Sequence, residues 1–263
     1  HRAPRQTDAG APQSTQTTAA MRPHVLCYAL ATASAITRTT VDVGRVSVTY
    51  DQHYFDTPVP QPRQGQRVAD RSGLRPWPCA VPLLQHLSEA TVPALETSLG
   101  RPPRILELGS GVGLLGIGLA LATGAEVTLT DPGLPTRFSK GADSISTLEF
   151  LRRNVALNDA PTARAEKLLW GDADDLEAFR SAPPFDLVVA SEVLYEPSQY
   201  AALAETLAFF ATDAIIGYKV RHGREQTFFD RCADEHGFRV TSEPLAGEKL
   251  SKDAVLATLR RPQ

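Results

Sequence analysis

Arg104–Ala122, RILELGSGVGLLGIGLALA, constrains the fold of this chain more than any other stretch. Ile105–Leu108 is a short apolar run between Pro102-Pro103 and a glycine, the pattern of a strand buried on both faces. Glycines follow at 109, 111, 113 and 116. Leu114, Leu115, Ile117, Leu119, Ala120 and Leu121 then suit a well-buried helix, which Gly124 can end as a C′ residue. Strand, glycine turn and helix in that order make a nucleotide-type binding turn. Glycine lets the backbone take positive φ and lets a ligand approach without meeting a Cβ, and the helix N-terminus offers unpaired N–H groups. Gly111–Gly116, GVGLLG, fits the GxGxxG dinucleotide fingerprint, and Asp131 lies where a ribose-binding acid belongs. At this level an NAD-type oxidoreductase stays open.

The rest of the chain supplies the elements of an α/β fold. Val41–Tyr50 alternates apolar and polar residues and predicts an antiparallel strand or hairpin; Asp51–Asp70 reads as a long polar loop. A helix is expected to start at Pro82. Strands are predicted at 125–131, 163–169, 185–190, 214–218, 238–242 and 255–260, with helices between them near 145–157, 201–210 and 225–236. The prediction is a Rossmann-like, doubly wound, seven-stranded sheet, mostly parallel with the last strand antiparallel, plus a short N-terminal β extension. The expected division is a disordered tail at 1–24, strands, loop and lead-in helix covering the cofactor site at 25–100, and the core at 101–263. Residues 22–40 carry arginines and hydroxyls without an acid, faintly like a transit peptide; a tail leading into the first strand is the simpler reading. The chain begins at His1, and its one methionine is Met21, so the native start is expected to lie elsewhere.

Composition excludes several classes. A net charge of −3 over 263 residues carries no electrostatic footprint for nucleic acid. Cysteines 27, 79 and 232 form neither a metal pattern nor a disulfide framework, so no metal is expected and a reducing compartment is. No apolar run reaches transmembrane length.

Several motifs together resemble one family. Glu107–Gly113, ELGSGVG, is similar to motif I of the seven-β-strand S-adenosyl-L-methionine-dependent methyltransferases. Gly73-x-x-x-Trp77-Pro, about 30 residues earlier, resembles the family 16 methyltransferases, which include methyltransferase-like protein-lysine methyltransferases. The run Trp77-Pro-Cys-Ala is especially similar to a branch linked to arginine. Leu168-x-Trp170-Gly171-Asp172 resembles the family's adenine-binding corner, where an indole can face a flat purine. Ser191-Glu192-x-x-Tyr195 stands at the family's post-strand Asp-x-x-Tyr position, with glutamate in place of aspartate.

The resemblance implies S-adenosyl-L-methionine as cofactor, held by Trp77, Glu107, Gly109, Ser110, Gly111, Gly113, Asp131, Trp170 and Ser191. It implies Glu192 and Tyr195 as catalytic residues. The expected reaction is N-methylation of a lysine in a protein substrate, by a cytosolic or nuclear monomer that engages neither nucleic acid nor membrane. A protein-arginine or small-molecule methyltransferase, and a non-catalytic cofactor-binding module, remain alternatives. Asn154 and Asn158 match the family's Asn-x-x-x-Asn pair and read as caps and turn residues. The positive run Lys219–His222 reads as a contact for an acidic substrate or as a solvated edge.

Overall fold

The computed structural model describes residues 36–53, 72–135, 145–247 and 250–262. The expected tail at 1–24 lies outside them, as do 54–71 of the predicted loop and 136–144 of the connection before the fourth helix.

The first described element is a hairpin of β1 (Ile36–Val43) and β2 (Val46–His53), turning at Gly44 and Arg45. It corrects the sequence reading at both ends. β1 begins at Ile36 rather than Val41, and β2 runs into the stretch expected to be loop. Both extensions are polar, so alternation alone does not mark them. The lead-in helix also starts earlier than Pro82. α1 (Ala80–His86) passes through a π-helical turn at Leu87–Thr91 into α2 (Val92–Leu99), ended by Gly100 in the left-handed conformation.

The sheet contains β3 (Arg104–Leu108), β4 (Glu126–Asp131), β5 (Ala163–Lys167), β6 (Leu187–Ser191), β7 (Asp213–Lys219), β8 (Arg239–Pro244) and β9 (Ala254–Arg260). Its order is β5-β4-β3-β6-β7-β9-β8, and β9 alone runs against its neighbours. The apolar β9 inserts between β7 and the polar β8, which takes the edge, where unpaired backbone can meet water. The helices are α3 (Leu114–Thr123), α4 (Thr147–Ala156), α5 (Ala173–Glu177), α6 (Tyr200–Phe210) and α7 (Glu225–His236). Among the described residues no helix is long and apolar enough to cross a membrane.

Successive residues of a strand point to opposite faces, and this divides the interior in two. Ile105, Val127, Leu129, Val189 and Ile215 face one core with α1, α3, α4 and the hairpin. Leu106, Leu108, Val188, Ala190 and Ile216 face the other, with α6 and α7. The chain order of the strands reverses between β3 and β6. That switch point opens a crevice at the strands' carboxyl ends, where open α/β sheets bind their ligands. The glycine turn leaves β3 on one side of it, and Ser191-Glu192 leaves β6 on the other.

Asn154 and Asn158 do more than the sequence reading gave them. Asn158 does cap the helix end, its Nδ2 donating to Asn154 C=O at 2.8 Å, but both side chains also reach the hairpin. The Asn158 amide accepts from Thr49 N–H (2.9 Å) and donates to Thr49 C=O (2.7 Å). The Asn154 amide accepts from Asp51 N–H (2.8 Å) and donates to Asp51 C=O (3.1 Å). Two side chains four residues apart thus act as a neighbouring strand for alternate residues of β2. Asn154 Nδ2 also donates to Val112 C=O at 2.9 Å, which ties the hairpin to the glycine turn.

Candidate active site at the strand switch point

The turn is built around Glu107. In a strand buried on both faces its side chain falls on the α3 side and is 2% exposed. Its Oε2 accepts from Gly116 N–H at 3.1 Å. Burial pushes the Glu107 carboxyl up to about 8, against the opposing pull of the Ser110 hydroxyl and the Gly116 N–H. Glu107 therefore braces the turn from behind rather than projecting from it. Ser110 locks the turn to the next strand. Its N–H donates to Thr130 C=O (2.8 Å), and its hydroxyl accepts from Thr130 N–H (3.0 Å).

The raised carboxyl predicts a pH dependence. The folded protein holds this proton more tightly than the unfolded chain, so Glu107 costs stability as pH rises from the unfolded value near 4.5 towards 8. The slope is up to about 1.4 kcal/mol per pH unit. Glu107→Gln keeps the acceptor for Gly116 and cannot ionise. Its melting temperature, relative to wild type, should therefore rise steadily across that window. A constant difference would show that Glu107 does not titrate there.

Gly109, Gly111 and Gly113 all have positive φ. Gly109 is also needed for space: a Cβ there would stand 3.0 Å from the Trp170 ring and 3.1 Å from Val193. At Gly111 a Cβ would stand 3.1 Å from Gly73 C=O, in a 3₁₀ turn at Ser72–Leu74. The lead-in segment thus lies directly on the glycine turn and on Asp131, whose Oδ2 is 3.6 Å from a Cβ placed on Gly73. Asp131 is 5% exposed; its Oδ1 accepts from Gly133 N–H (3.1 Å) and from the Thr147 hydroxyl. Thr147 is a site residue that sequence reasoning missed. Nothing local singles it out, because it reads as the first residue of an amphipathic helix.

Trp170 follows β5 and reaches the turn through Gly109. Asp172, the last residue of the Trp170-Gly171-Asp172 motif, is the N-cap of α5 and accepts from Asp175 N–H at 3.0 Å. Trp77 lies on the other side of the crevice, where the guanidinium carbons of Arg75 and Arg221 stand 4.5 and 5.1 Å from its ring centroid.

Glu192 has φ 59°, rare for a residue with a side chain, and such conformations cluster at functional positions. Its N–H donates to Gly217 C=O at 2.8 Å. Its side chain is 1% exposed, and Oε2 pairs with Arg221 Nη2 at 2.6 Å. Arg221 is therefore neither solvated edge nor free for an acidic substrate. The Cys79 thiol sits beside the same carboxylate; burial first, and Glu192 second, push it far up. Val193 and Leu194 are buried, while Tyr195 is 40% exposed at the rim.

Three side-chain polar atoms in this crevice are buried without a hydrogen-bond partner among the described residues: Trp170 Nε1, Ser191 Oγ and Glu192 Oε1. They sit at the carboxyl ends of β5 and β6. Buried polar groups are nearly always paired, so a cluster of orphans marks a place shaped for something else. Among the described residues no group of three or more His, Cys, Asp and Glu could hold a metal ion.

This sheet order, the reversed last strand and a glycine turn at the switch point define a Rossmann-like methyltransferase fold. Solved structures agree. A putative transferase from Pyrococcus horikoshii superposes with TM-score 0.51 at 16% identity, over 87% of this chain and 74% of that one. The METTL16 MTase domain does so with TM-score 0.50 at 12% identity, over 71% and 70%. The family profile described as "Lysine methyltransferase" matches residues 63–235, and the chain belongs to that family. That family is one of class I methyltransferases, a class whose methyl donor is S-adenosyl-L-methionine. Human "Histone-arginine methyltransferase METTL23" is 35% identical over 136 residues, 51% of this chain and 60% of that protein. Mouse "Protein N-lysine methyltransferase METTL21A" is 31% identical over 159 residues, 58% and 63%. The chain spans less than two thirds of the length of either.

Proposed function

We propose that the chain is an S-adenosyl-L-methionine-dependent N-methyltransferase acting on a lysine side chain of a protein, as a monomer in the cytosol or nucleus. The observation that carries the reading is the cluster of orphaned polar atoms, Trp170 Nε1, Ser191 Oγ and Glu192 Oε1, across the switch point from a glycine turn. The residues fit the donor: a turn with no Cβ at Gly109, Gly111 and Gly113, an acid at Asp131 for the ribose hydroxyls, and the Trp170 indole for the base. Trp77, Glu107, Ser110 and Ser191 complete this shell, with Glu107 acting through the turn. The donor supplies a methyl group already activated on sulfonium.

The chain's own part is positioning and deprotonation. A lysine amine with pKa near 10.4 costs about 4 kcal/mol to deprotonate near neutral pH. Glu192 Oε1 orients the amine or the water that takes its proton, and Tyr195 forms part of the channel wall. The name of METTL23 favours arginine as a second reading. A guanidinium calls for carboxylates on two sides; Glu192 Oε1 lacks a donor among the described residues, and so does Glu225 Oε2 behind the Arg221 loop.

The test is calorimetric titration with S-adenosylmethionine, S-adenosylhomocysteine and NAD, on wild type and Asp131→Ala. The first two should bind and NAD should not. The variant should lose about tenfold or more in affinity, the worth of a charge-assisted hydrogen bond. A tritiated-methyl screen of cell lysate, followed by acid hydrolysis, then distinguishes methyllysine from methylarginine. NAD binding alone would overturn the reading.

A further inference from the structure

Arg221 leaves the end of β7 and meets groups from two other segments, Glu192 after β6 and Trp77 before α1. Its own loop is held by a third. Glu225, at the start of α7 and 2% exposed, accepts from the backbone N–H of Arg221 (2.8 Å) and of His222 (3.3 Å). Burial would raise the Glu225 carboxyl, but these N–H groups and His222 hold it below its ordinary range. A buried, ionised carboxylate is thus spent on fixing where Arg221 begins.

The other end is fixed just as firmly. A 2.6 Å contact from guanidinium to carboxylate is a strong, charge-assisted bond. It engages only Oε2. No N–H or O–H donor among the described residues reaches Oε1, although the side chain is 1% exposed. Glu192 lines a cavity of about 140 Å³ together with Pro78, Cys79, Lys219, Leu250 and Ala254. The titratable groups around it are Arg221 and Lys219 from β7 and its exit, and the Cys79 thiol from the lead-in to α1.

We propose that Arg221 is a positioning residue that divides Glu192 in two: it neutralises the carboxylate through Oε2 and leaves Oε1 to accept from the acceptor nitrogen. The inference rests on the lysine-methylation reading. An unpaired carboxylate beside a lysine would hold it as an ammonium, because a nearby opposite charge favours the charged form. An ammonium has no lone pair to form the new N–C bond. A carboxylate already paired with Arg221 still accepts an N–H, so it orients the amine, but it attracts the proton less. The ammonium then gives its proton to water and the amine stays in place.

The test is methyl incorporation from tritiated S-adenosylmethionine, with total lysate protein as acceptor, measured from neutral to alkaline pH. Wild type, Arg221→Ala, Arg221→Lys and Glu192→Gln with and without Arg221→Ala are compared. Arg221→Ala should move the alkaline limb of the rate up by about one pH unit. It should also lower the acceptor concentration for half-saturation, since the ammonium binds a bare carboxylate more tightly, while lowering maximal turnover. Arg221→Lys should restore the wild-type limb. In the Glu192→Gln background, Arg221→Ala should not move it. Arg221 is about one-third exposed, and a melting curve checks folding. Arg221→Gln serves the same comparison if the alanine variant is unstable. An active wild type whose limb is absent, or is unmoved in Arg221→Ala, overturns the inference alone, as does a rise in half-saturation. A wild type that transfers no methyl group overturns the parent reading and this inference with it.

Discussion

Replacing Glu192 by glutamine is expected to lower methyl transfer about a hundred-fold, the scale on which a reacting group displaced by about 1 Å loses rate. S-adenosylmethionine should bind with unchanged affinity. Glutamine keeps the length of the side chain and an acceptor oxygen, so what it removes is the ion pair with Arg221 that holds that oxygen in place. Glu192 stands on the β6 side of the switch point, whereas Asp131 and the glycine turn stand on the β3–β4 side, which is why the two measurements should separate. Glu192→Ala should lose at least as much, and Tyr195→Ala a smaller part, because Tyr195 is exposed at the rim. The check is single-turnover transfer alongside calorimetric binding. Glu192 variants with wild-type rates would remove Glu192 from the reaction. Parallel loss of rate and cofactor affinity would move it to the cofactor side.

Asn154→Ala is expected to lower the melting temperature by roughly 10 °C. Asn154 is fully buried, and its amide makes three hydrogen bonds outside its own helix, two to Asp51 and one to Val112. Truncation strands three backbone groups, each worth about 1 kcal/mol. In a chain of this size each kcal/mol moves the midpoint by about 2–4 °C. The same change should weaken cofactor binding, because Val112 lies inside the glycine turn. Asn158→Ala loses only the pairing with Thr49 and one bond within the helix end, and should cost less. Thermal melts of both variants decide it. Equal effects would mean that the link to Val112 carries no weight.

Much of this protein is legible residue by residue. Ile105–Leu108 reads as a doubly buried strand because Ile105 on one face and Leu106 and Leu108 on the other both need apolar surroundings, and the glycines after it read as a turn because glycine tolerates that backbone and that crowding. Glu192 and Tyr195 could be placed at a rim because the run Leu187–Ala190 ends just before them. The reversed last strand was legible as a hairpin, from the polar loop between two short predicted strands. These signals are local: they report what a few neighbouring residues require of backbone and solvent.

The tertiary structure decided the partnerships. Asn154 meets Asp51 across 103 residues and Arg221 meets Glu192 across 29. Neither pair leaves a periodicity, a spacing or a composition that could be read beforehand. An asparagine on a helix and an arginine on a loop have the same local preferences whatever they later touch. Which backbone they pair with, and which carboxylate they neutralise, depends on how the loops close and how the elements pack. The sequence alone therefore determined the fold class and the residue types at the crevice, while packing determined that the hairpin is hung on α4 by two amides and that one oxygen of Glu192 is occupied while the other is left open.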